Sequence, residues 1–471
     1  MNYKNKITSH REFYPISNLE ISSESDRGRI ISSAAFRRLQ KRTQVFALEL
    51  NAAIRTRLTH SLEVSQNARY IAKTILRKID LEHKEELEIP FITICEMSSL
   101  LHDIGNPPFG HFGEMAINDW IKNNTQEYFE AIDTNNKELK NALIQDITSY
   151  DGNAQAVRIV HKLQRLNLSY SQIASIIKYT RGAYETKNEN LTYLSKKPGF
   201  FYSEKEFVKT IQDSLEIEKY HRFPLTYIME AADDISYLSA DLEDAVDKGI
   251  LTLEQIYTLI KEETQVINKK HNTNHTLLFD IIDKNYTKAK TKEDEPYQFN
   301  MFLTLTRANL ISKFVEYVAS IYNTNHKEIY NGSFNSAILE YDTSHPLVQA
   351  IEILKNISYR HIYTNKEVQA LELKGFAVIQ GLFNIYKHLL QLSTDDFRNL
   401  IEGKKVSSIV VGNLFSRLPK KHLIAYKTSV KELKQEFALH EFYYRNRLLI
   451  DYISGMTDDF ALNEFQVLSA R

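Results

Sequence analysis

The sequence predicts an all-α fold. Three observations carry that expectation. The 471-residue chain holds 14 glycines and 9 prolines, too few for the tight turns that punctuate a sheet-rich protein of this length. Apolar residues recur at helical spacing through most of it. No alternation of strand-like with helix-like segments, no heptad run and no internal repeat breaks that pattern.

The elements follow in order. Residues 58–78 carry Leu62, Ala68, Ile71, Ala72 and Ile75 and read as one long helix. Residues 92–102 form a strongly apolar second helix. Gly105-Asn106-Pro107-Pro108 stops it, because that tetrapeptide cannot continue a helix. Residues 112–122 begin the next. Residues 154–166, 224–246, 253–261, 300–322, 368–390 and 442–453 also read as helices. Residues 123–141, 268–275 and 284–295 are polar and read as surface excursions. The expected organisation is a catalytic body over residues 1–250 and a helical C-terminal region over 251–471, unless the two form one continuous body.

Composition narrows the function. Lys+Arg (59) and Asp+Glu (60) nearly cancel, so no global basic field argues for bulk nucleic-acid binding. Any polyanion site must be a local cluster. A single cysteine, Cys95, rules out an intramolecular disulfide and a zinc-thiolate cluster, and its apolar surroundings suggest a small buried hydrophobe. The N-terminal MNYKNKITSHREFYP lacks the apolar stretch of a signal peptide. No apolar run reaches the roughly 18 residues of a membrane helix. A cytoplasmic protein without membrane contact is expected.

The most informative segment is Ser98-Ser99-Leu100-Leu101-His102-Asp103-Ile104-Gly105-Asn106-Pro107-Pro108-Phe109-Gly110-His111-Phe112-Gly113-Glu114. An imidazole and a carboxylate stand together at the end of a rigid apolar helix. This donor pair suits a borderline-to-hard divalent metal such as Mn, Fe, Co or Mg. A His-Asp dipeptide alone is as easily a cap or a surface pair. Two further features strengthen it. His60 opens the preceding long helix. Asp233 and Asp234 are adjacent inside an apolar helix, where they repel unless a cation or strong donors compensate.

The strings SDRGRI, THSLEV, LLHDIGNPPFGHFGE, GNAQ and MEAADDISY closely resemble the dGTPase family (deoxyguanosine triphosphate triphosphohydrolases) of the HD phosphohydrolase superfamily. The similarity runs down to YYRNRLLIDYISGMTD near the C-terminus. It implies an HD-type helical core with an additional helical region. It also implies one divalent metal, Mn²⁺ or Mg²⁺ with Co²⁺ or Fe²⁺ as alternatives, bound by His60, His102, Asp103 and Asp233. The implied reaction is attack of water on the α-phosphorus of dGTP, giving deoxyguanosine and inorganic triphosphate.

His111 and Glu114 stand three residues apart on one helix face. That suits a Glu orienting a proton-exchanging His, and equally a helix cap beside a residue favouring the dipole; the resemblance points to catalysis. The triphosphate needs cations, and Arg55, Arg57, Lys178 and Lys197 are candidates. The resemblance assigns phosphate contacts to Asn153, Lys178, Tyr179 and Lys197. It leads us to expect Glu before Gly152, where this chain has Asp151.

Asp233, Tyr237 and Asp241 recur every four residues and so share a helix face, with steps of about 6 Å. Metal sits at one end. Tyr237 could pack against the sugar and exclude a 2′-hydroxyl, or serve only as ordinary helix packing, and Asp241 could accept from a 3′-hydroxyl; the resemblance supports the sugar contacts. The resemblance adds Gln44 on the 3′-hydroxyl, Glu372 on the guanine edge and Tyr363 stacked on the base. Arg445 and Arg447 form a basic-aromatic cluster with Tyr443 and Tyr444, suited to single strands or to a core or interface helix. Arg37-Arg38-Leu39-Gln40-Lys41-Arg42 is a second cluster. Relatives form hexamers, an arginine of the first region enters a neighbour's site, and single-stranded DNA is an effector; the resemblance implies the same here.

Two other functions fit less well. One is an HD enzyme for another nucleotide, such as a 5′-nucleotidase or a broad deoxynucleotide triphosphohydrolase; a nucleotidase would release orthophosphate. The other is a non-catalytic nucleotide-sensing or DNA-binding regulator, against which the intact set of histidines and carboxylates argues.

Overall fold

The computed structural model describes residues 1–470 except Leu50, Lys405, Ser407, Glu432 and Lys434, and all side chains among them except those of Leu238 and Ser239. Helices dominate, as expected. Among the described residues the only paired strands are Arg181–Gly182 and Pro198–Phe200, a short parallel pair. No described helix is long and apolar enough to cross a membrane.

Sequence periodicity places the helices and misses their ends. The helix expected at 58–78 spans Arg57–Lys78. Thr56 caps it, its side chain accepting from the Thr59 amide at 3.4 Å. The apolar helix starts earlier than its apolar run, at Lys84, and passes through Pro90 to Leu101. Glu85 and Glu86 favour the dipole of that polar first turn. The helix expected at 253–261 runs on to His271, because Thr264 and Ile267 continue the buried stripe among lysines and glutamates. The helix expected at 154–166 is Gly152–Arg158 followed by a π turn, Ile159–Leu163. The remaining helices are Gly110–Asn124, Thr226–Asp247, Glu295–Thr324, Lys366–Tyr386 and Phe437–Ser454 where 112–122, 224–246, 300–322, 368–390 and 442–453 were expected.

The excursion expected at 123–141 needs correction. It holds a short helix, Gln126–Glu130, and the start of another, Lys137–Ile147. Phe129 is fully buried with its ring edge against Phe442, and Ile132 and Leu139 pack on the same cluster. Residues 284–289 likewise complete a helix, Leu277–Ala289, buried through Ile282 and Ala289.

Apolar side chains gather in two packed clusters. One joins the His60 helix, the apolar helix Lys84–Leu101 and Thr226–Asp247 to the helices Glu295–Thr324 and Pro346–Ile357. Cys95 lies buried in it as a small hydrophobe. The other joins Gly110–Asn124 and Lys137–Ile147 to the C-terminal helices, with Trp120 stacked on Phe383. The turn after His102 runs between them, which places the chemistry-bearing residues at the seam.

Candidate metal centre and its surroundings

Three helices bring His60, His102 and Asp233 together, with one ligand atom of each within 4.8 Å of the others. Asp233 Oδ1 lies 3.1 Å from His60 Nε2 and 3.5 Å from His102 Nε2. His60 is fully buried and Asp233 is 27% exposed. His102 caps its helix, and its Nδ1 donates to the Ser99 carbonyl at 2.6 Å. Its Nε2 therefore carries the lone pair. Two imidazoles and one carboxylate, converging without thiolates, fit a divalent cation. Burial opposes ionisation of Asp233, yet His102, His60 and Lys178 hold it well below the usual carboxylate range.

Asp103 stands beside this trio, not within it. Its Oδ2 is 3.6 Å from His102 Nε2 and 2.5 Å from Arg57 Nη1, while Asn106 Nδ2 donates to Oδ1 at 2.5 Å. The Arg57 guanidinium draws the carboxylate toward itself. Burial again opposes ionisation, and Arg57 and His102 keep Asp103 low. Asp234 faces elsewhere, 3.4 Å from Lys355. Burial lifts it to about 6, although Lys355 and Lys178 oppose the shift. The repulsion read from the adjacent aspartates is thus relieved differently on each side. Lys355 carried no signal in the sequence.

The turn itself is closely fitted. An added Cβ on Gly105 would meet the Gly152 carbonyl oxygen at 1.9 Å. Tyr150 donates to the Gly105 carbonyl at 2.8 Å. Arg42, buried, donates to the carbonyls of Ile104, Asn106, Ser454 and Met456, clamping the turn to the C-terminal region. Sequence reasoning saw Arg42 only as part of a basic cluster.

Of the proton and phosphate candidates, Lys178 acts on Asp233 directly, while His111, Glu114, Asn153 and Lys197 gather with Asp151 in a second group. His111 Nδ1 is 3.4 Å from Glu114 Oε2, and the His111 side chain is 71% exposed. Hydrogen bonding to Glu114 raises the His111 pKa. Glu114 is fixed by the Gly152 amide, which donates to Oε1 at 2.8 Å. Asp151 binds Asn153 Nδ2 at 2.7 Å and Lys197 at 3.4 Å. Lys178 sits 3.4 Å from Glu230. Burial opposes its charge, but Glu230 and Asp233 raise its pKa, so it stays an ammonium. Tyr179 is buried next to it.

The comparisons with known proteins agree with this arrangement. The HD domain model matches residues 57–198, which include His60, His102 and Asp103, and a phosphohydrolase-associated domain model matches residues 407–467. The chain is 42% identical over 509 residues to the deoxyguanosinetriphosphate triphosphohydrolase of Klebsiella pneumoniae subsp. pneumoniae, covering 100% of this chain and 99% of that protein. It is 41% identical to proteins of the same name from Klebsiella pneumoniae strain 342 and Cronobacter sakazakii, with the same coverage. The chain belongs to the deoxyguanosinetriphosphate triphosphohydrolase family.

In this family member the face below Asp233 ends in unsatisfied acceptors. Asp241 Oδ1 and Gln44 Oε1 are buried without a hydrogen-bond partner. The Tyr363 hydroxyl donates to Asp241 Oδ2. The Tyr237 and Tyr363 ring centroids are 6.5 Å apart. Burial pushes Asp241 well above the carboxylate range. Glu372 is partly exposed. Burial raises its pKa, and His111 is near enough to pull it down.

Three arginines turn inward. Arg55 is buried and held by Glu63, Glu243 and Asp244, so its guanidinium is already committed. Arg445 and Arg447 are buried in the helix Phe437–Ser454, in line with the core-helix reading of their cluster. Arg445 pairs with Glu441 at 2.5 Å and donates to the Leu392 carbonyl. Arg447 is fully buried, its guanidinium 3.6 Å from the Phe201 ring centroid and 3.7 Å from Asp146. Their aromatic neighbours draw both into the core. In the second cluster Arg37 and Lys41 are exposed, whereas Arg42 is buried.

Proposed function

We propose that the chain hydrolyses deoxynucleoside triphosphates, dGTP foremost, to the deoxynucleoside and inorganic triphosphate. One observation carries the reading: His60, His102 and Asp233 converge from three helices, with Lys178 near enough to act on Asp233, in a chain that matches deoxyguanosinetriphosphate triphosphohydrolases along its whole length.

His60, His102 and Asp233, with Asp103 as fourth ligand, would hold one divalent cation, Mn²⁺ or Mg²⁺ before Co²⁺ or Fe²⁺. Such an ion supplies Lewis-acid chemistry, favouring deprotonation of water and offsetting charge on the phosphoryl oxygens. Arg57, Lys178, Lys197, Tyr179 and Asn153 bind the phosphate oxygens. Arg57 acts twice, since it also positions Asp103. A bond forms between the water oxygen and the α-phosphorus, and the bond from phosphorus to the 5′-oxygen breaks. His111, kept protonated by Glu114, gives its proton to the departing 5′-oxygen. Gln44 and Asp241 take the 3′-hydroxyl, Tyr237 excludes a 2′-hydroxyl, Tyr363 lies against the nucleoside and Glu372 accepts from guanine N1 and N2. Arg55 fixes the helix bearing Asp241 through Glu243 and Asp244.

Residues 1–250 then form the catalytic core and 251–471 add base recognition. A cytoplasmic location, a hexamer and a single-stranded DNA effector belong to the same proposal and rest on the resemblance. The inward course of Arg445 and Arg447 lends the last two no surface.

The test is incubation with each of the four deoxynucleoside triphosphates and GTP in Mn²⁺, with both products identified. Equal amounts of deoxynucleoside and inorganic triphosphate, fastest from dGTP, are expected. Orthophosphate from monophosphates would make the protein a nucleotidase. No turnover of any substrate would make it a regulator.

A further inference from the structure

A cavity of about 590 Å³ opens between the C-terminal helices, residues 34–38 and the end of the π turn at Leu163 and Gln164. That is the size of a small-ligand site, roughly 300–1,000 Å³. None of the metal-cluster residues lines it. Of its cationic lining, Arg417 is paired with Glu464 and burial pushes His422 down to about 4, which leaves Arg38, Lys420 and Lys421. Arg38 is mostly buried and has no carboxylate partner among the described residues. Its Nη1 donates to the Gly455 carbonyl at 2.8 Å, and with the Gln164 amide turned to suit its neighbours, Nη2 donates to that side chain at 2.9 Å. Burying an unpaired guanidinium is costly.

Lys420 and Lys421 open the helix Lys420–Lys431, exposed and without a carboxylate partner among the described residues. Cations in a first turn oppose the helix dipole, and that turn holds no acidic residue. His422, 9% exposed, also lines the cavity, and its Nδ1 is buried without a partner. Tyr452, Met456 and Phe460 supply an apolar wall. Cationic groups at a helix N-terminus suit a phosphate, and an apolar, aromatic wall suits a planar body.

We propose that this cavity binds a small organic phosphate with a planar apolar body, and that its occupancy acts on the metal cluster. The route is short. Arg38 holds Gly455. Arg42 holds Ser454 and Met456 with two donors and the carbonyls of Ile104 and Asn106, beside Asp103, with another. A ligand that shifts the 454–456 turn thereby shifts the turn that carries Asp103. The binding part stands on the cavity alone; the regulatory part rests on the metal-site reading given above.

Calorimetric titration of the full chain with AMP, and separately with inorganic phosphate, tests the site. AMP is expected to bind with the affinity preserved in His102→Ala. It should weaken at least about tenfold in Arg38→Gln and in the Lys420→Ala/Lys421→Ala double variant, through loss of charge-assisted hydrogen bonds. The double variant changes only exposed side chains, so it decides the matter even if Arg38→Gln misfolds. Phosphate alone should bind at least about tenfold more weakly than AMP. Absent AMP binding, affinity unchanged in the double variant, affinity lost in His102→Ala, or phosphate binding as tightly as AMP each overturns the site. Mn²⁺ affinity with and without saturating AMP tests the coupling, which is reciprocal. A shift of about twofold or more in the wild type, absent in the double variant, is expected. An unchanged Mn²⁺ affinity overturns the regulation, whereas failure to hydrolyse dGTP overturns only the function proposed above.

Discussion

His102 donates its Nδ1 hydrogen to the carbonyl of Ser99 at 2.6 Å, one turn back on the same helix. The donor is fixed because a carbonyl can only accept. The Nε2 lone pair is thereby aimed at Asp233 before any ion arrives. Replacing His102 by alanine is expected to lower Mn²⁺ affinity more than about 100-fold, beyond the 10–100-fold that outer partners of a ligand contribute. Calorimetry on the folded variant reads this directly. An affinity like that of the wild type would remove His102 from the centre.

His111 owes its raised pKa first to Glu114. A general acid must be protonated, so turnover should fall as pH rises through that raised value. Glu114→Gln removes the carboxylate, and the alkaline limb should move to lower pH, as should the imidazole titration followed by NMR. His111→Ala should lower kcat by about 10²–10⁴-fold and leave Mn²⁺ affinity intact. Near-normal turnover of His111→Ala would exclude it from proton transfer.

Asp241 and Gln44 each bury an oxygen without a hydrogen-bond partner, and the proposed function gives both to the 3′-hydroxyl. Tyr237→Ala should raise the rate on GTP relative to dGTP by about tenfold or more, since steric rejection is what the ring supplies. Glu372→Ala should leave sugar selectivity alone and lower the preference for dGTP over dATP. Competition assays with paired substrates separate the two. Unchanged ratios would detach these residues from the nucleoside.

Gly105 has no room for a side chain, with the Gly152 carbonyl oxygen 1.9 Å from an added Cβ. Gly105→Ala should destabilise the fold by about 1–3 kcal/mol through overpacking. It should also reduce turnover, although Gly105 touches no ligand, because Gly152 holds Glu114 through its amide. Denaturant unfolding beside steady-state rates checks both. A fully active, equally stable variant would show that this contact does not set the distance between the turn and Glu114.

The helices were legible because they leave short-range marks, whereas the convergence of His60, His102 and Asp233 was expected from the resemblance. The 3.6-residue stripe placed nine helices near their observed positions, and the Gly-Asn-Pro-Pro stop located the turn. Helix ends were less legible: Lys84 begins a helix whose first turn is polar, and Phe129 is a buried anchor in a polar stretch. The partners of the arginines were not legible. Arg55 meets Glu243 and Asp244, and Arg447 meets Phe201 and Asp146, across hundreds of residues. A basic cluster in sequence says nothing about which carboxylates or rings the fold will lay against it. The turning of Asp103 toward Arg57 and the pairing of Lys355 with Asp234 depend on the same long-range placement.

Hydrolysis of dGTP in ¹⁸O-labelled water with Mn²⁺ tests the α-phosphate attack most directly, with both products analysed by mass spectrometry. One label in inorganic triphosphate and none in deoxyguanosine is the expected result. Label in deoxyguanosine, or release of labelled orthophosphate or pyrophosphate, would contradict it.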